Sequence, residues 1–550
     1  MNNIYQLIEL PQEVLLKILL FIPDVHKYGN INKNLNHLIK YLIDSYDKKF
    51  QRINAKWKNE LKIFIKTLFL NKDEDAIIFL YNNVEDSKKY VLYYAGIYDY
   101  INLISLLNPK EYNYIAKGAA KGGHFDLVKF LVELGARNFN DIAYKAAEGG
   151  HLHILIYALE HKANNYRFIT RAAARYDHRD IIDYIIKIGF KDYNTIADSA
   201  ARGGHLNLVR VAVENGAKNY NDIAYEAAKA GYLEIVKYAF EKGANNEYFV
   251  AITAAKYGHL DIVIYVVGRG IDNFNDIAEA GAIGGHLNVV EYAVGNGANN
   301  YNLMIRVAAE YGNLNIIKYI VKKGFDNYNA ITYVAAEYGH LHIIEYAVKK
   351  GANNYDYIVT TASRKGYISI VKFIVDKGLF KEYYRIALIA AQYGHLDIVK
   401  YAVEMGAFNY TAIARTAAQY GHLDIVKYAV GKGATNYDEI AVIASRYGHL
   451  KIVKYALQLG TKNYDDIVYS AAQGGHLHII KYFANEINNY DNIAIAAAEY
   501  NHLNIVKHAV KMGARNYESI MAIAAKYRHK NIVSYIKSLI SKKRNTFDAK

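Results

Sequence analysis

Histidine recurs in this chain with a regularity that metal coordination or proton transfer could exploit. It stands at His124, His151, His205, His259, His286, His340, His395, His422, His449 and His476. Neutral imidazole is a common zinc ligand, and its ordinary pKa near 6.5 suits acid–base work. A zinc site, however, needs three or four donors converging within about 2 Å of one ion. Most of these histidines lie 27 residues, or a multiple of 27, from the next. Each therefore belongs to a separate copy of one segment, and helices packed side by side place such copies about 10 Å apart. The substitutes at the same place, Tyr232, Asn313 and Tyr367, are hydrogen-bonding groups and fit a ligand role poorly. The expected role is a hydrogen bond from each ring to backbone at its own inter-helix turn, with no metal ligands.

No other chemistry converges. Cysteine is absent, which excludes thiol catalysis, cysteine–zinc sites and disulfides. No paired carboxylates and no nucleophile–histidine couple stand out. The Gly-Gly-His-Leu and Tyr-Gly-His-Leu segments follow no strand and repeat too often for a phosphate-binding loop. No catalytic residue, cofactor-binding residue or cofactor is expected, and the chain does not read as an enzyme.

The elements that carry these residues are short helices. A clear copy is Asn219–Ala244, NYNDIAYEAAKAGYLEIVKYAFEKGA. The first helix follows an Asn-Tyr or Asn-Phe pair, with Asp222 as its candidate cap and Ile223, Ala224, Ala227 and Ala228 as its apolar stripe. The paired alanines let backbones approach closely. Gly231 ends this helix, because glycine takes positive φ at little cost. The second helix carries Leu233, Ile235, Val236, Tyr238 and Ala239, and Gly243 closes it. Asp177, Asn501 and Arg528 replace the junction glycine in weaker copies. One such hairpin cannot bury both stripes, but a stack of them can, so the period predicts a solenoid. The extra residue at Phe380–Tyr384 and the missing one at Asn485–Asn489 are both expected in loops, where length changes are tolerated.

Length and composition agree with an array. A single core does not grow far past about 250–300 residues, and the chain has 550, of which 52% are hydrophobic. No run of about 18 apolar residues lacks charge, so no membrane span is expected, and the start lacks a signal peptide's basic-then-apolar order. The formal charge of +14 is a mild bias over this length, and no dense Lys/Arg stripe points to nucleic acid. The expected organisation is a small helical head at 1–60, linker helices and degenerate copies at 61–110, the repeat array at 111–540 and a basic tail at 541–550. The fold class is all-α, a helix-turn-helix solenoid with a small N-terminal helical domain.

The core AA-x-x-GHL-x-IVKY-x-V-x-x-GA-x-N, seen from Ala417 to Asn436, resembles the ankyrin repeat over about residues 70–540. The family norm is 33 residues, with a D-x-x-G-x-TPLH segment between units. Here that segment has shrunk to Asn-Tyr-x-x-Ile, so the family's β-hairpins should be short or absent. The Tyr- and Asn-rich 27-residue form looks most like the ankyrin families of giant DNA viruses of amoebae. The resemblance implies a monomeric protein-binding scaffold acting in the host cytoplasm, with the nucleus as the alternative that the basic tail leaves open.

The N-terminus resembles an F-box, the helical domain that docks on Skp1 in cullin-based ubiquitin ligases. Leu10, Pro11 and Glu13 match its opening, and Leu15, Leu16, Ile18 and Leu19 match its next helix. Ile31, Lys33 and Leu38 fit a later segment, while Asn32 and Leu35 depart from it. The resemblance assigns Skp1 docking to Leu10, Pro11, Leu15, Ile18, Leu19, Ile31, Leu35 and Leu38. The implied function is a substrate adaptor that brings a client protein to the ligase. The alternative is an array that binds or sequesters a host protein, with residues 1–60 only capping it.

Copy-to-copy variation marks the expected client face. Packing would hold positions constant, so positions that change should face solvent. These lie two and three residues after the helix-opening isoleucine (Tyr144, Lys145, Asp198, Ser199, Tyr225, Glu226, Glu279, Ala280, Arg415, Thr416) and just before the junction glycine (Lys229, Glu310, Glu337, Arg364, Gln392, Arg446). In ankyrin-like stacks the first helix lines the concave face, which implies client contact there. Tyrosine, 54 in all, takes three repeat positions. Those after Asn, such as Tyr220 and Tyr410, and those in the second helix, such as Tyr238 and Tyr428, read as packing between copies. Those before the junction glycine, Tyr257, Tyr311, Tyr338, Tyr393, Tyr420 and Tyr447, could form an aromatic contact strip.

Overall fold

The computed structural model describes residues 55–83, 87–107 and 109–547. The F-box-like stretch lies outside them. Within them the chain is all-α, a helical-repeat solenoid without a strand. No helix among the described residues is long and apolar enough to cross a membrane. The chain divides into two compact units, Met1–Ala280 and Gly281–Lys550.

A copy in the second unit shows the construction. Its first helix, Tyr410–Tyr420, buries Ile413, Ala414, Ala417 and Ala418, and its second, Leu423–Gly431, buries Ile425, Val426 and Ala429. Within each unit the first helix packs against its own second helix and against the first helices of its neighbours. Small alanines at that seam permit the close approach. Each buried isoleucine contributes about 1.5–3 kcal/mol, so no copy folds on its own stripe alone.

The first helix begins earlier than the sequence suggests. The tyrosine of the Asn-Tyr pair is its first residue, and the asparagine is its cap. Asn409 Oδ1 accepts from the Ala412 backbone N–H at 3.1 Å, and Asn300 does the same for Leu303 at 3.2 Å. In the copy at Asn219–Ala244 the cap position is Asn219, and Asp222 lies inside the first turn, where the helix dipole favours an acid.

The shortened inter-copy segment is stitched by asparagine. Asn194 Oδ1 accepts from Lys218 N at 2.9 Å, Asn221 from Asn245 N at 2.8 Å and Asn329 from Asn353 N at 2.9 Å. In the other direction Asn219 Nδ2 donates to Asn194 O at 3.1 Å and Asn246 Nδ2 to Asn221 O at 3.0 Å. Side-chain amides thus satisfy backbone groups that a sheet ladder would otherwise pair.

The junction takes the left-handed conformation whatever residue occupies it. Gly421 has φ +87°, while Asp177, Asn501 and Arg528 have φ 57°, 64° and 63°. Lys72 and Asp99 share it at 56° and 57°, which marks two degenerate junctions before the regular copies. The extra residue near Phe380 falls in the loop before helix Tyr383–Tyr393, and Phe380 is buried. The missing residue is absorbed differently. Helix Leu477–Tyr482 is cut to 6 residues where its counterparts have 8 to 10, and Phe483 fills the space with 2% exposure. The last helix, Lys530–Phe547, continues through most of the predicted tail.

Candidate functional site

The repeated histidines bind backbone, but one copy back rather than at their own turns. His151 Nε2 lies 3.1 Å from Lys121 O, His340 Nε2 2.8 Å from Glu310 O, His422 Nε2 3.1 Å from Gln392 O and His449 Nε2 3.0 Å from Gln419 O. Each accepting carbonyl lies in the last turn of a first helix, where no intrahelical donor remains for it. The ring reaches it by lying across the preceding junction glycine. A Cβ added to Gly394 would sit 2.6 Å from His422 Cε1, and one added to Gly421 would sit 2.7 Å from His449 Cε1. Glycine is therefore required twice at this point, for its positive φ and for the neighbour's ring. The substitutes do the same work. Asn313 Nδ2 donates to Ala282 O at 2.7 Å, and the Tyr367 hydroxyl to Glu337 O at 3.4 Å. Among the described residues no group of three or more His, Asp or Glu side chains is placed to hold a metal ion.

Those carbonyls belong to the variable residues before the junction, so backbone and side chain of one residue divide the labour. The backbone of Gln392 receives the next histidine, while its Nε2 donates to the Tyr420 hydroxyl at 3.2 Å. Gln419 repeats both bonds, its Nε2 reaching Tyr447 at 3.3 Å. Lys229 Nζ lies 5.5 Å from the centre of the Tyr257 ring, a cation–π distance. Arg364 Nη2 donates to Glu337 Oε1 at 2.9 Å, and Arg446 Nη2 to Gln473 Oε1 at 2.6 Å. A hydrogen bond from Tyr338 to Glu310 raises the phenol above its ordinary range. The tyrosines before the junction glycine, Tyr257, Tyr311, Tyr338, Tyr393, Tyr420 and Tyr447, are all exposed, as are Tyr176, Tyr500 and Tyr527, which stand before non-glycine junctions.

The positions after the helix-opening isoleucine are less uniform. Tyr225 and Arg415 are exposed, and Tyr144, Lys145, Asp198, Glu226 and Glu279 are half-buried. Ser199 and Ala280 are buried, so the later position of the pair faces a neighbouring helix in some copies. Arg415 Nε pairs with Glu439 at 2.8 Å, and Arg202 holds Glu226 through two bonds, at 2.7 and 2.5 Å. Glu148 was not singled out by its variation. It gathers both Lys121 and Lys145, and although burial opposes ionisation, these lysines hold its carboxyl below the ordinary range. Burial instead raises the Asp198 carboxyl, aided by Glu226 and Asp222, against the hydrogen bond from Ser199 and the charge of Arg171.

The sequence matches a family model over part of this edge. The model described as "Ankyrin repeats (3 copies)" matches residues 305–384, 358–439 and 387–466. No curated protein matches the chain. Among solved structures it is similar to the pentatricopeptide repeat protein PPR10 from maize, 13% identical over 96% of this chain and 93% of that one, with a TM-score of 0.27. It is also similar to PPR10 in complex with an 18-nt psaJ RNA element, 12% identical over 91% and 96%, with a TM-score of 0.26. Likeness at that level carries no argument about shared architecture or ligand. The ankyrin repeats suggest a scaffold with protein partners, and no catalytic family is indicated.

The ankyrin-matching stretch also carries a ladder on its second helices that pattern reading left as plain packing. The lysine of one copy sits over the tyrosine ring of the next: Lys318 over Tyr346 at 5.9 Å, Lys400 over Tyr428 at 5.8 Å and Lys427 over Tyr455 at 5.4 Å. The signal was present in the recurring Ile-Val-Lys-Tyr segment. Burial raises the Tyr428 phenol, and at Tyr401 burial is reinforced by the hydrogen bond to Asp376.

Proposed function

We propose that the chain is a protein-binding scaffold whose partner contacts lie on the edge formed by the ends of the first helices. The observation that carries this reading is the split of roles at that edge. The junction backbone is held in one arrangement by the histidine bonds, while the side chains around it change from copy to copy and several remain exposed. Replacing Tyr393, Tyr420 and Tyr447 together by serine should abolish capture of partner proteins by the full-length chain. Replacing Lys400 and Lys427 on the second helices by alanine should leave capture intact. Equal capture by both triple and double variants would place the contact elsewhere.

The finer reading is an F-box–ankyrin substrate adaptor of the kind encoded by giant DNA viruses, working in the host cytoplasm or nucleus. It is supported by Leu10, Pro11 and Glu13 at the F-box opening, by Lys33 and Leu38 further on, and by the ankyrin match that follows. Residues 1–60 would dock on a Skp1-like protein and the array would hold the client, so that the client is ubiquitinated by the ligase. Purified Skp1 should be retained by the full-length protein at micromolar concentration and lost on combined Leu10→Ala and Pro11→Ala substitution, with the helical content unchanged. Absence of Skp1 binding would leave the array as a binder that blocks or sequesters its partner.

A further inference from the structure

The tyrosine strip of the second unit has a gap that its own repeat register describes. In successive copies the residue two before the junction reaches the tyrosine one copy on, as Gln392 reaches Tyr420 and Gln419 reaches Tyr447. The same contact recurs from the Tyr527 hydroxyl to Glu499 Oε1 at 3.2 Å. By this register Arg446 should meet a tyrosine at 474, where the chain has Gly474. Lys365, the other departure between Tyr311 and Tyr527, closes its own gap through an ion pair with Glu337 at 3.0 Å. Gly474 closes nothing. A Cβ there would stand 1.9 Å from Arg446 O, so the chain can place no side chain in the gap without moving its backbone.

The gap is a pocket of about 470 Å³ lined by Arg446, Tyr447, Gln473, Gly474, His476 and Tyr500. That size falls within the roughly 300–1,000 Å³ of small-ligand sites. Tyr447 and Tyr500 are 47% and 51% exposed, so both rings offer faces to an incoming group. Burial, with the nearby histidines, lowers the His476 pKa despite its bond to the Arg446 carbonyl, so the imidazole adds no charge near neutral pH. The Arg446 guanidinium, whose partner is the neutral Gln473 amide, is left to recognise the occupant's polar tip.

We propose that this pocket receives a tyrosine side chain from a partner protein. The ring would take the place that tyrosine holds in neighbouring copies, against Tyr447 and Tyr500, and its hydroxyl would accept from Arg446. A guanidinium needs an acceptor, which phenylalanine lacks. This subsite rests on the scaffold reading above, since it needs a protein partner to supply the side chain.

The test uses full-length protein and saturation-transfer NMR with N-acetyltyrosinamide, N-acetylphenylalaninamide, N-acetylalaninamide and N-acetylphosphotyrosinamide. The tyrosine probe should bind, the phenylalanine probe about tenfold more weakly for want of one charge-assisted hydrogen bond, and the alanine probe not at all. Arg446→Met, which keeps the side-chain length but has no donor, should erase the preference for tyrosine over phenylalanine. Tyr500→Ala should weaken both aromatic probes, and Lys400→Ala, on a second helix away from the pocket, neither. No tyrosine binding, or binding unchanged by Arg446→Met and Tyr500→Ala, would overturn the proposal. Preference for the phosphorylated probe would overturn the neutral-phenol assignment. Probe binding without any captured partner would instead reject the scaffold reading and leave the pocket standing.

Discussion

The two units use one junction to present two different edges. In the first, the residue before the junction is small at Gly122, Gly149, Gly203 and Ala230 and tyrosine at Tyr176 and Tyr257, and the residue before that is basic at Lys121, Arg175, Arg202, Lys229 and Lys256 and acidic at Glu148. In the second, tyrosine fills the same place at Tyr311, Tyr338, Tyr393, Tyr420, Tyr447, Tyr500 and Tyr527 but not at Gly284, Lys365 and Gly474, and it is preceded by Glu310, Glu337, Gln392, Gln419 and Glu499, with Arg446 and Lys526 as the basic exceptions. The histidine bond beneath is the same in both: His205 to Arg175 O at 2.9 Å in one, His422 to Gln392 O at 3.1 Å in the other. A carbonyl accepts without regard to the side chain on its residue. Making the inter-copy bond with backbone is what frees the side chains to diverge.

The comparison breaks most directly in the shared core. Ile142 and Ile413 occupy equivalent, fully buried places in the two units. Truncating either to alanine should cost about 2–5 kcal/mol. In a one-dimensional array that loss is felt by the altered copy and its neighbours, not evenly along the chain. Amide hydrogen exchange should show protection falling around residues 139–160 for Ile142→Ala and around 410–431 for Ile413→Ala. Equal loss throughout both units would mean that the copies do not share load locally.

Next in size is the junction itself. Gly421→Ala would force a side chain into φ +87° and set its Cβ against the His449 ring, at about 1–3 kcal/mol. The reverse change, Arg528→Gly, should relieve strain at φ 63° and raise stability by up to about 1 kcal/mol. Urea unfolding midpoints at constant m-value check both. If Arg528→Gly is not stabilising, the left-handed junction is not what limits the weaker copies.

Much of this was legible in sequence because repetition multiplies weak signals. The alternation of Ala-Ala pairs, junction glycines and Ile-Val pairs predicts both helices and their buried faces, and the structure buries those residues. What stayed hidden runs between copies. Spacing shows that His422 recurs but not that its ring reaches back to Gln392, because a carbonyl leaves no mark on residue identity. The asparagine stitches are masked in the same way, since nothing in the identity of Asn194 or Asn221 names Lys218 or Asn245 as its partner. Variation was a partial guide to the edge. It correctly marked Tyr225 and Arg415 as exposed but also marked Ser199, which is buried because its small side chain fits against a neighbouring helix.

A smaller effect comes from the histidine bond alone. His422→Ala removes one hydrogen bond to a backbone carbonyl, worth about 1 kcal/mol, and His422→Asn should recover part of it, because Asn313 makes the equivalent bond. Charge adds a pH dependence. Burial lowers the His151 and His476 pKa values below the ordinary 6.5, against the bonds to backbone. The unfolded chain therefore takes up protons first as pH falls. The stability these histidines contribute is present above the unfolded value near 6.5 and is lost as pH drops through the lower folded values. Unfolding midpoints measured from pH 7.5 to 5 should fall, and His151→Asn with His476→Asn should flatten the slope. A slope unchanged by both substitutions would assign it to other groups.

The smallest stability change belongs to the feature that separates the two edges. Tyr393→Ala and Tyr420→Ala remove exposed rings whose backbone is already held by the junction, so each should move unfolding by no more than about 0.5 kcal/mol. Tyr420 gives up one bond, from Gln392, whose amide then turns to water at little cost. The same substitutions should reduce partner binding to the second unit far more than they reduce stability. The corresponding change in the first unit, Lys229→Ala, should weaken partner binding more at low salt than at high salt, because exposed charges are screened beyond about 10 Å at 0.1 M. Binding isotherms at two ionic strengths distinguish the edges: salt-sensitive at Lys229, salt-insensitive at Tyr420. If both respond alike, the change from basic to aromatic residues is drift on a common frame rather than a change of partner chemistry.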